Sequence, residues 1–231
     1  MKSSSFKQAA SALAAVLACA VSHSAHAAIV ISEVDAAGSS AAYAADWFEL
    51  TNTGTSAVNI NGWKMDDNSN AFASAVALRG VSSIAAGQSV VFIESNSTGS
   101  TDAAINAAFT QAWFGGNAPS GLLIGNYGGA GVGLSTSTDA VNIFTASGTL
   151  VTRVDFNAST LGRTFDNAAG VNNGVLTTFS TAGLNGAFLS ANGIETGSPG
   201  AIAAVPEPES LALLLTSLGV LGLTGIRRKQ A

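Results

Sequence analysis

The chain has 231 residues, of which 47% are hydrophobic and only 10% are charged, and its formal net charge is −5. This composition is typical of a β-rich exported domain, and the length accommodates one domain of ordinary size between two terminal segments. The negative charge argues against nucleic acid as a partner, because a phosphate backbone would be repelled.

The first 27 residues have the three parts of a secretory signal peptide. Two lysines supply the positive start, and an apolar stretch covers residues 9–21. We expect signal peptidase to recognise Ala25 and Ala27 and to cut before Ala28. Cys19, the only cysteine, follows a sequence that weakly resembles a lipoprotein processing box, so a lipid anchor at this residue is a less favoured alternative.

Short strand patterns, separated by turn residues, begin at residue 29. The β-branched run 29–35 predicts a first strand, and residues 47–52 alternate apolar and polar side chains, as in a strand with one solvated face. The pair Asn61-Gly62 predicts a hairpin between residues 57–60 and 63–65, because both residues of the pair tolerate positive φ.

Further strands and one helix are predicted downstream. Residues 89–94 have the composition of a strand, and residues 141–144 and 150–156 flank a glycine turn, which predicts a hairpin. Residues 101–113 place apolar side chains at helical spacing after a serine and a threonine that are available as N-cap. Because each strand has to bury its apolar face against a second sheet, we expect an all-β, antiparallel sandwich with one short inserted helix.

Three signals follow one another after residue 205: the motif Pro206-Glu207-Pro208, an apolar segment over residues 210–226, and the cations Arg227, Arg228 and Lys229. The apolar run predicts a single transmembrane helix. Residues 211–226 reach only about 24 Å, short of a hydrocarbon core of about 30 Å, which favours a temporary anchor over a permanent one. The cations should remain in the cytoplasm and leave the domain outside.

This arrangement resembles the PEP-CTERM tail of Gram-negative bacteria. The resemblance implies recognition by an exosortase, an inner-membrane enzyme thought to process the tail near the Pro-Glu-Pro motif. It also implies that the protein moves from a transient inner-membrane anchor to the cell envelope or extracellular matrix. Residues 201–209 would then be a linker that contains the motif, and residues 227–231 a basic cytoplasmic end.

Five short motifs follow one another between residues 28 and 200. They are Ile29-Val30-Ile31-Ser32-Glu33-Val34, Asp46-Trp47-Phe48-Glu49-Leu50-Thr51-Asn52, Asn61-Gly62-Trp63, Ala85-Ala86-Gly87-Gln88 and Gly197-Ser198-Pro199-Gly200. This order closely resembles bacterial lamin tail domains. The resemblance implies an immunoglobulin-like sandwich that acts as an interaction module, with no shared catalytic residues. Residues 96–134 depart from the shorter members of that family as an insertion.

Residues 28–205 contain neither histidine nor cysteine. This excludes thiol nucleophiles, histidine bases, disulfides and Cys/His zinc sites from this part of the chain. Its 12 acidic and 4 basic residues give it a net charge of −8. We therefore expect no cofactor and no catalytic residue, and we interpret the protein as a non-enzyme.

Asp66, Asn68 and Asn70 alternate as in the first half of a calcium loop and are a candidate metal site. The second half of such a loop is missing, because Ala71 stands at the turn glycine and Ala77 at the closing acid. An ordinary polar loop is therefore the favoured interpretation.

Glu33, Asp35, Asp46 and Glu49 form a second candidate group, since two carboxylates are the minimum for glycoside hydrolysis or for a cation site. Structural roles at strand ends or on solvated faces are the favoured interpretation. The glycine-rich residues 128–133 lack the lysine and the following helix of a phosphate-binding loop, and are interpreted as a flexible or tightly turning loop.

Together these features predict an exported structural or binding protein of the cell envelope or exopolysaccharide matrix. Its expected partners are an exosortase, signal peptidase, transiently the inner membrane, and exopolysaccharide. Trp47, Trp63 and Trp113 have side chains that stack on sugars in other proteins, although burial in the sandwich explains them better. A calcium- or glycan-binding adhesin and a secreted carboxylate-dependent hydrolase are the two alternatives.

Overall fold

The computed structural model describes residues 29–201. The predicted signal peptide with its cleavage site, the motif Pro206-Glu207-Pro208, the apolar segment 210–226 and the cations at 227–229 lie outside the described residues. Within residues 29–201 the chain forms fourteen short strands, one α-helix and a single turn of 3-10 helix at Gly38–Ser40.

The strands are, in chain order, β1 (Ile29–Asp35), β2 (Trp47–Asn52), β3 (Val58–Asn59), β4 (Lys64–Asp66), β5 (Val76–Ala77), β6 (Ser83–Ile84), β7 (Ser89–Ser95), β8 (Leu123–Gly128), β9 (Asp139–Phe144), β10 (Leu150–Phe156), β11 (Phe165–Asp166), β12 (Gly174–Leu176), β13 (Phe188–Leu189) and β14 (Thr196–Gly197). The helix α1 (Asp102–Phe114) lies between β7 and β8.

Two five-stranded sheets face each other across one hydrophobic core. The first has the strand order β11-β1-β2-β7-β8 and the second the order β12-β10-β9-β4-β5. Because side chains alternate along a strand, every second residue of each strand points into the core. The core therefore joins side chains of both sheets, among them Ile31, Phe48, Phe92, Val141, Ile143 and Phe156. The predicted sandwich with one inserted helix is confirmed, in a form consistent with the immunoglobulin-like arrangement that the resemblance implied.

Helix α1 covers the outer face of the first sheet. Phe109 and Trp113 pack edge-on against Trp47 of β2, with ring centroids 5.7 and 5.8 Å away. The helix ends at Gly115, which adopts the left-handed conformation (φ 61°) that glycine tolerates at this position. Thr101 occupies the N-cap position, but its hydroxyl group makes no cap hydrogen bond. The predicted helix is thus confirmed, one residue later at each end.

The outer face of β2 is not solvated, so the prediction of a strand with one solvated face is wrong. All six residues of β2 are buried, including Glu49 at 1% and Thr51 at 3% exposure. The alternation in the sequence is real, but its polar side faces a second covered layer, formed by α1 and by the chain after residue 186. Alternation alone distinguishes two faces and does not identify which of them meets water.

The hairpin predicted around Asn61-Gly62 is also wrong. The turn itself is present, since the Trp63 N–H donates to the Ile60 carbonyl oxygen and Gly62 has a φ of 74°. However, β3 pairs with β6, whereas β4 pairs with β5 and β9 of the second sheet. The turn therefore carries the chain from one sheet to another. The hairpin predicted between β9 and β10 is confirmed.

Two strand pairs depart from the purely antiparallel arrangement that we expected. β7 and β8 run parallel because α1 and its flanking loops form the crossover between them. β10 and β12 are also parallel. Both departures depend on long connections, whose course is not visible in the alternation of side chains.

Candidate functional site

Glu33 and Glu49 lie directly opposite each other on β1 and β2. Their exposures are 0% and 1%, so the interpretation of solvated positions is wrong for both. Both side chains point to the outer face of the first sheet, where the C-terminal part of the described chain covers them. The structure therefore brings two of the four predicted acids together in a buried pair.

Residues 197–200, which we call the strap, cross this pair and satisfy its oxygens. The Ser198 N–H donates to Glu33 Oε1 over 2.7 Å, and the Ser198 hydroxyl group donates to Glu33 Oε2 over 3.1 Å. The Gly200 N–H donates to Glu49 Oε2 over 2.6 Å. A Cβ atom at Gly197 would lie only 2.7 Å from Glu33 Oε1, so glycine permits the close approach of the strap.

Hydroxyl groups supply the remaining donors of the acidic pair. Thr164 donates to Glu33 Oε1, and Ser32 donates to Glu49 Oε1 over 2.6 Å. Within residues 29–201, neither carboxyl group forms an ion pair with a basic side chain. The pair is held by neutral donors alone.

Burial raises the pKa of Glu33 to about 8 and the pKa of Glu49 to about 7. The negative charge of Glu49 raises the pKa of Glu33 further, whereas hydrogen bonds from Thr164 and Ser198 oppose the rise. Two adjacent carboxylates without a cation repel each other strongly in a buried place. We therefore expect the pair to hold at least one proton at neutral pH, as a coupled unit.

Asp35, the third predicted acid, belongs to a second buried group that contains Tyr43 and Glu195. The Tyr43 hydroxyl oxygen lies 2.6 Å from Glu195 Oε1 and 3.1 Å from Asp35 Oδ2, and it accepts a hydrogen bond from Trp47 Nε1 over 3.1 Å. One phenolic proton cannot serve two acceptors, so the second contact requires a protonated carboxyl group. Burial raises the pKa of Asp35 to about 7, which agrees with this requirement.

Two buried polar atoms beside Tyr43 have no hydrogen-bond partner within residues 29–201. Glu195 Oε2 is an acceptor and Trp113 Nε1 is a donor, and both atoms are buried. A groove of 310 Å³ runs along the neighbouring flank of α1, lined by small side chains such as Ala108 and Ala112 and by the amide groups of Gln111 and Asn192.

Asp46, the fourth predicted acid, lies apart from the acidic pair. Its Oδ1 accepts the Ser39 N–H over 2.7 Å, and its carbonyl oxygen accepts the Glu94 N–H over 2.8 Å. Burial raises the pKa of Asp46 and that of Glu94. The glycine-rich segment packs on Glu94, because a Cβ atom at Gly129 would lie 1.6 Å from Glu94 Oε1. This segment forms a tight turn, the second of the two forms expected, in which the Val132 N–H donates to the Gly129 carbonyl oxygen.

Asp66, part of the candidate metal loop, is buried and its carboxyl group is fully engaged. Its Oδ2 accepts the Ser69 hydroxyl group over 2.6 Å and the Ala71 N–H over 2.7 Å, and its Oδ1 accepts the Ser74 hydroxyl group over 2.9 Å. The Asn68 N–H donates to Asp139 Oδ1 over 3.0 Å.

Asn70 has a φ of 50° and donates its N–H to the Asp67 carbonyl oxygen, as expected of a turn residue. The metal site at Asp66, Asn68 and Asn70 stays a prediction. Across residues 29–201, no group of three or more histidine, cysteine, aspartate or glutamate side chains is arranged to hold a metal ion.

The three tryptophan side chains lie in the interior. Trp47 is 0%, Trp113 1% and Trp63 8% exposed, in agreement with the favoured interpretation of buried aromatic residues. In the same described part of the chain, no helix is long and apolar enough to cross a membrane.

Several residues of the two buried groups were not identified from the sequence. Tyr43 lies in a loop with no pattern of its own, and Thr164 precedes a strand of only two residues. The strap does have a sequence signal, the Gly-Ser-Pro-Gly motif. The position of the strap over the Glu33–Glu49 pair, however, depends on a contact between residues that are 165 positions apart.

Comparison with known families adds two matches. The Lamin Tail Domain model matches residues 22–158, and the PEP-CTERM protein-sorting motif matches residues 204–229. None of the curated proteins matches the sequence. The described fold continues beyond the first match, since β11, β12 and the strap complete it after residue 158. The sorting motif implies an exported protein that an exosortase processes at the membrane. With more than half of its length matched, the chain belongs to the lamin tail domain family and carries a PEP-CTERM sorting motif.

Proposed function

We propose that the protein is a structural or binding component of the cell envelope or exopolysaccharide matrix, released from a transient inner-membrane anchor by an exosortase. The observation that carries the proposal is the joint presence of a lamin tail domain and a sorting motif in one chain. The lamin tail domain provides a folded module, and the sorting motif directs the chain to an exosortase.

The buried acids support a structural role over a hydrolytic one. A glycosidase needs two carboxyl groups that reach a sugar from either side of the scissile bond. The carboxyl oxygens of Glu33 and Glu49 instead accept hydrogen bonds from the strap and from neighbouring hydroxyl groups, and both side chains are covered. Their chemistry serves to fasten the end of the domain to its first two strands.

The sorting step is tested by replacing Pro206, Glu207 and Pro208 with alanine in a host that has an exosortase. We expect the native chain in the envelope or medium without its tail, and the variant in the inner membrane at full mature length. Glu209→Ala, just outside the motif, is the matched control and should be processed normally. Recovery of residues 211–231 on the native surface protein, by mass spectrometry, would contradict exosortase processing.

The groove beside α1 favours a second function, the binding of a matrix glycan. The amide side chains of Gln111 and Asn192 in the groove wall carry both donors and acceptors, as the recognition of sugar hydroxyl groups requires. The groove volume of 310 Å³ is at the lower end of the range found for small-molecule sites.

Calorimetry with exopolysaccharide from the host tests this second function. Ala108→Trp should fill the groove and abolish a saturable heat of binding. Ala103→Trp, on the exposed opposite side of the same helix, should leave it unchanged. Absence of a saturable heat in the unmodified protein would leave the purely structural role.

A further inference from the structure

The C-terminal part of the described chain presents apolar side chains to solvent. Among residues 29–201, the large hydrophobic side chains that are more than half exposed all lie here: Leu161 at 66%, Leu184 at 60%, Leu189 at 56% and Ile194 at 61%. Single exposed leucines are common on soluble domains, so the arrangement of these four is what carries information. We call the four residues the exit face.

Leu189 and Ile194 lie on the outer side of the β13–β14 pair. Side chains alternate along a strand, and Phe188 packs inward against Trp113 with ring centroids 5.7 Å apart, so Leu189 points outward. Ile194 precedes Glu195, whose side chain points inward to Tyr43. Both apolar side chains therefore face away from the sandwich.

Leu161 extends the same surface. The Thr196 N–H donates to the Gly162 carbonyl oxygen over 2.8 Å. A Cβ atom at Gly162 would lie 2.6 Å from the Ile194 carbonyl oxygen. The backbone that carries Leu161 thus runs in contact with the backbone of Ile194.

The chain leaves the described fold beside Leu184. A Cβ atom at Gly186, two residues after Leu184, would lie 2.8 Å from the Cβ atom of Ala201, the last described residue. Nine residues, 202–210, separate this point from the apolar run that begins at Leu211. Fully extended, nine residues span at most about 30 Å. The tail therefore leaves the domain on the side of Leu184 and keeps that side within about 30 Å of the apolar run.

Arg163 adjoins this surface, since its backbone pairs with that of Thr196. Arg163 stacks on Phe179 at 5.7 Å and donates to the Ser180 carbonyl oxygen, and within residues 29–201 it forms no ion pair. Asp166, at the edge of the surface, accepts hydrogen bonds from Asn185 and from the Ala168 N–H. The net charge of −8 over residues 28–205 outweighs this single arginine, so a membrane contact here has to depend on the four apolar side chains.

We propose that the exit face lies against the phospholipid surface of the inner membrane while the tail anchors the chain. This inference rests on the proposed function, because it requires the anchored stage before exosortase processing. Four leucine-sized side chains bind a membrane only weakly by themselves. Tethering raises their effective concentration at the bilayer, so the contact persists with the tail and ends when the tail is removed.

The test uses the mature anchored chain in inner-membrane vesicles from a host without exosortase. Leu189→Cys and Ser147→Cys are labelled separately with a fluorophore, since cleavage before Ala28 removes Cys19, the only natural cysteine. Ser147 is an exposed residue of the β9–β10 turn and serves as the matched control. Nitroxide-labelled lipid should quench the label at 189 several-fold more than the label at 147, and aqueous iodide should show the reverse order. Ile194→Cys should repeat the result.

Three other outcomes would overturn the proposal in distinguishable ways. Equal lipid quenching at 189 and 147 in a carbonate-resistant, anchored chain would overturn the membrane contact alone. Protection of position 189 from both quenchers would show that protein, such as a second copy of this chain, covers the exit face. Loss of the chain from carbonate-washed membranes would overturn the anchored stage itself, and with it the membrane part of the proposed function.

Discussion

Glu33 and Glu49 face each other across β1 and β2, and within residues 29–201 neither carboxyl group has a basic partner. Burial of two carboxylates without a cation raises the free energy of the folded state. Retention of a proton by the pair reduces this penalty. The strap and the adjacent hydroxyl groups supply the donors that make this burial tolerable. The pair therefore links the protonation state of the domain to the fastening of its C-terminal segment.

The domain should be more stable at pH 5 than at pH 8.5. The pKa values of Glu33, Glu49 and Asp35 are raised by burial to about 8, 7 and 7, whereas these groups ionise near pH 4 in an unfolded chain. Between these values the folded state binds more protons, so the free energy of unfolding falls as the pH rises from about 5 to about 8. We expect a loss on the order of a few kcal/mol, measured as the shift of the urea unfolding free energy.

The double variant Glu33→Gln/Glu49→Gln should weaken this pH dependence. Glutamine still offers an acceptor to the N–H groups of Ser198 and Gly200, but it cannot ionise. Asp155→Asn, which removes a partly exposed acid from β10, is the control for the change in net charge. A double variant whose unfolding free energy follows the pH as steeply as that of the native chain would contradict the assignment.

Gly129→Ala should destabilise the domain by about 1 to 3 kcal/mol through overpacking, because its Cβ atom would meet Glu94 Oε1 at 1.6 Å. Adding Glu94→Ala removes the clashing atoms, so the double variant should lose less than the sum of the two single losses. Gly133→Ala is the control, since its Cβ atom would have an ordinary contact of 3.5 Å. Additive losses in urea unfolding would show that the contact is not the cause.

Tyr43→Phe and Tyr127→Phe remove the same atom from two buried tyrosines with opposite expected results. The Tyr43 hydroxyl group joins Asp35, Glu195 and Trp47, so its loss should lower the free energy of unfolding by about 2 kcal/mol or more. The Tyr127 hydroxyl group is buried and has no partner in the described part of the chain, so its loss should be neutral or stabilising. Similar losses for both variants in urea unfolding would refute the role of the Tyr43 contacts.

Calcium should raise the melting temperature no more than magnesium does. Asp66 already accepts hydrogen bonds from Ser69, Ala71 and Ser74, so a cation would have to displace these donors. Asp66→Ala should lower the melting temperature in the absence of either ion, because it leaves the donors unsatisfied. A calcium-specific rise that Asp66→Ala abolishes would instead establish the calcium loop.

The bounds of β1 and β2 could be predicted from the sequence because β-branched runs and alternation are local properties. The same is true of α1, whose apolar residues have helical spacing. The pairing of β3 with β6 and the parallel pair β7–β8 could not be predicted, because both depend on where long connections lead the chain. The residues at Gly62 predicted the turn itself correctly, but they predicted wrongly that the strands on either side of the turn pair with each other.

The acids of the candidate site were recognised as a group from their closeness in the sequence. Their burial was not predicted, since it depends on α1 and on residues 186–201 packing over the outer face of the first sheet. Glu33 meets Ser198, and Tyr43 meets Glu195, across 165 and 152 positions. Contacts of this separation leave no trace in the periodicity of a single sequence.

The strap also sets the order of events during export. A chain that crosses the membrane from its N-terminal end delivers β1 first, yet β1 obtains its neighbour β11 and its cover of residues 197–200 only at the end. Closure of so long a loop is slow. The contact of the strap with Glu33 therefore becomes possible only after residue 198 has crossed. We therefore expect the first sheet to be completed only after the last described residues have crossed.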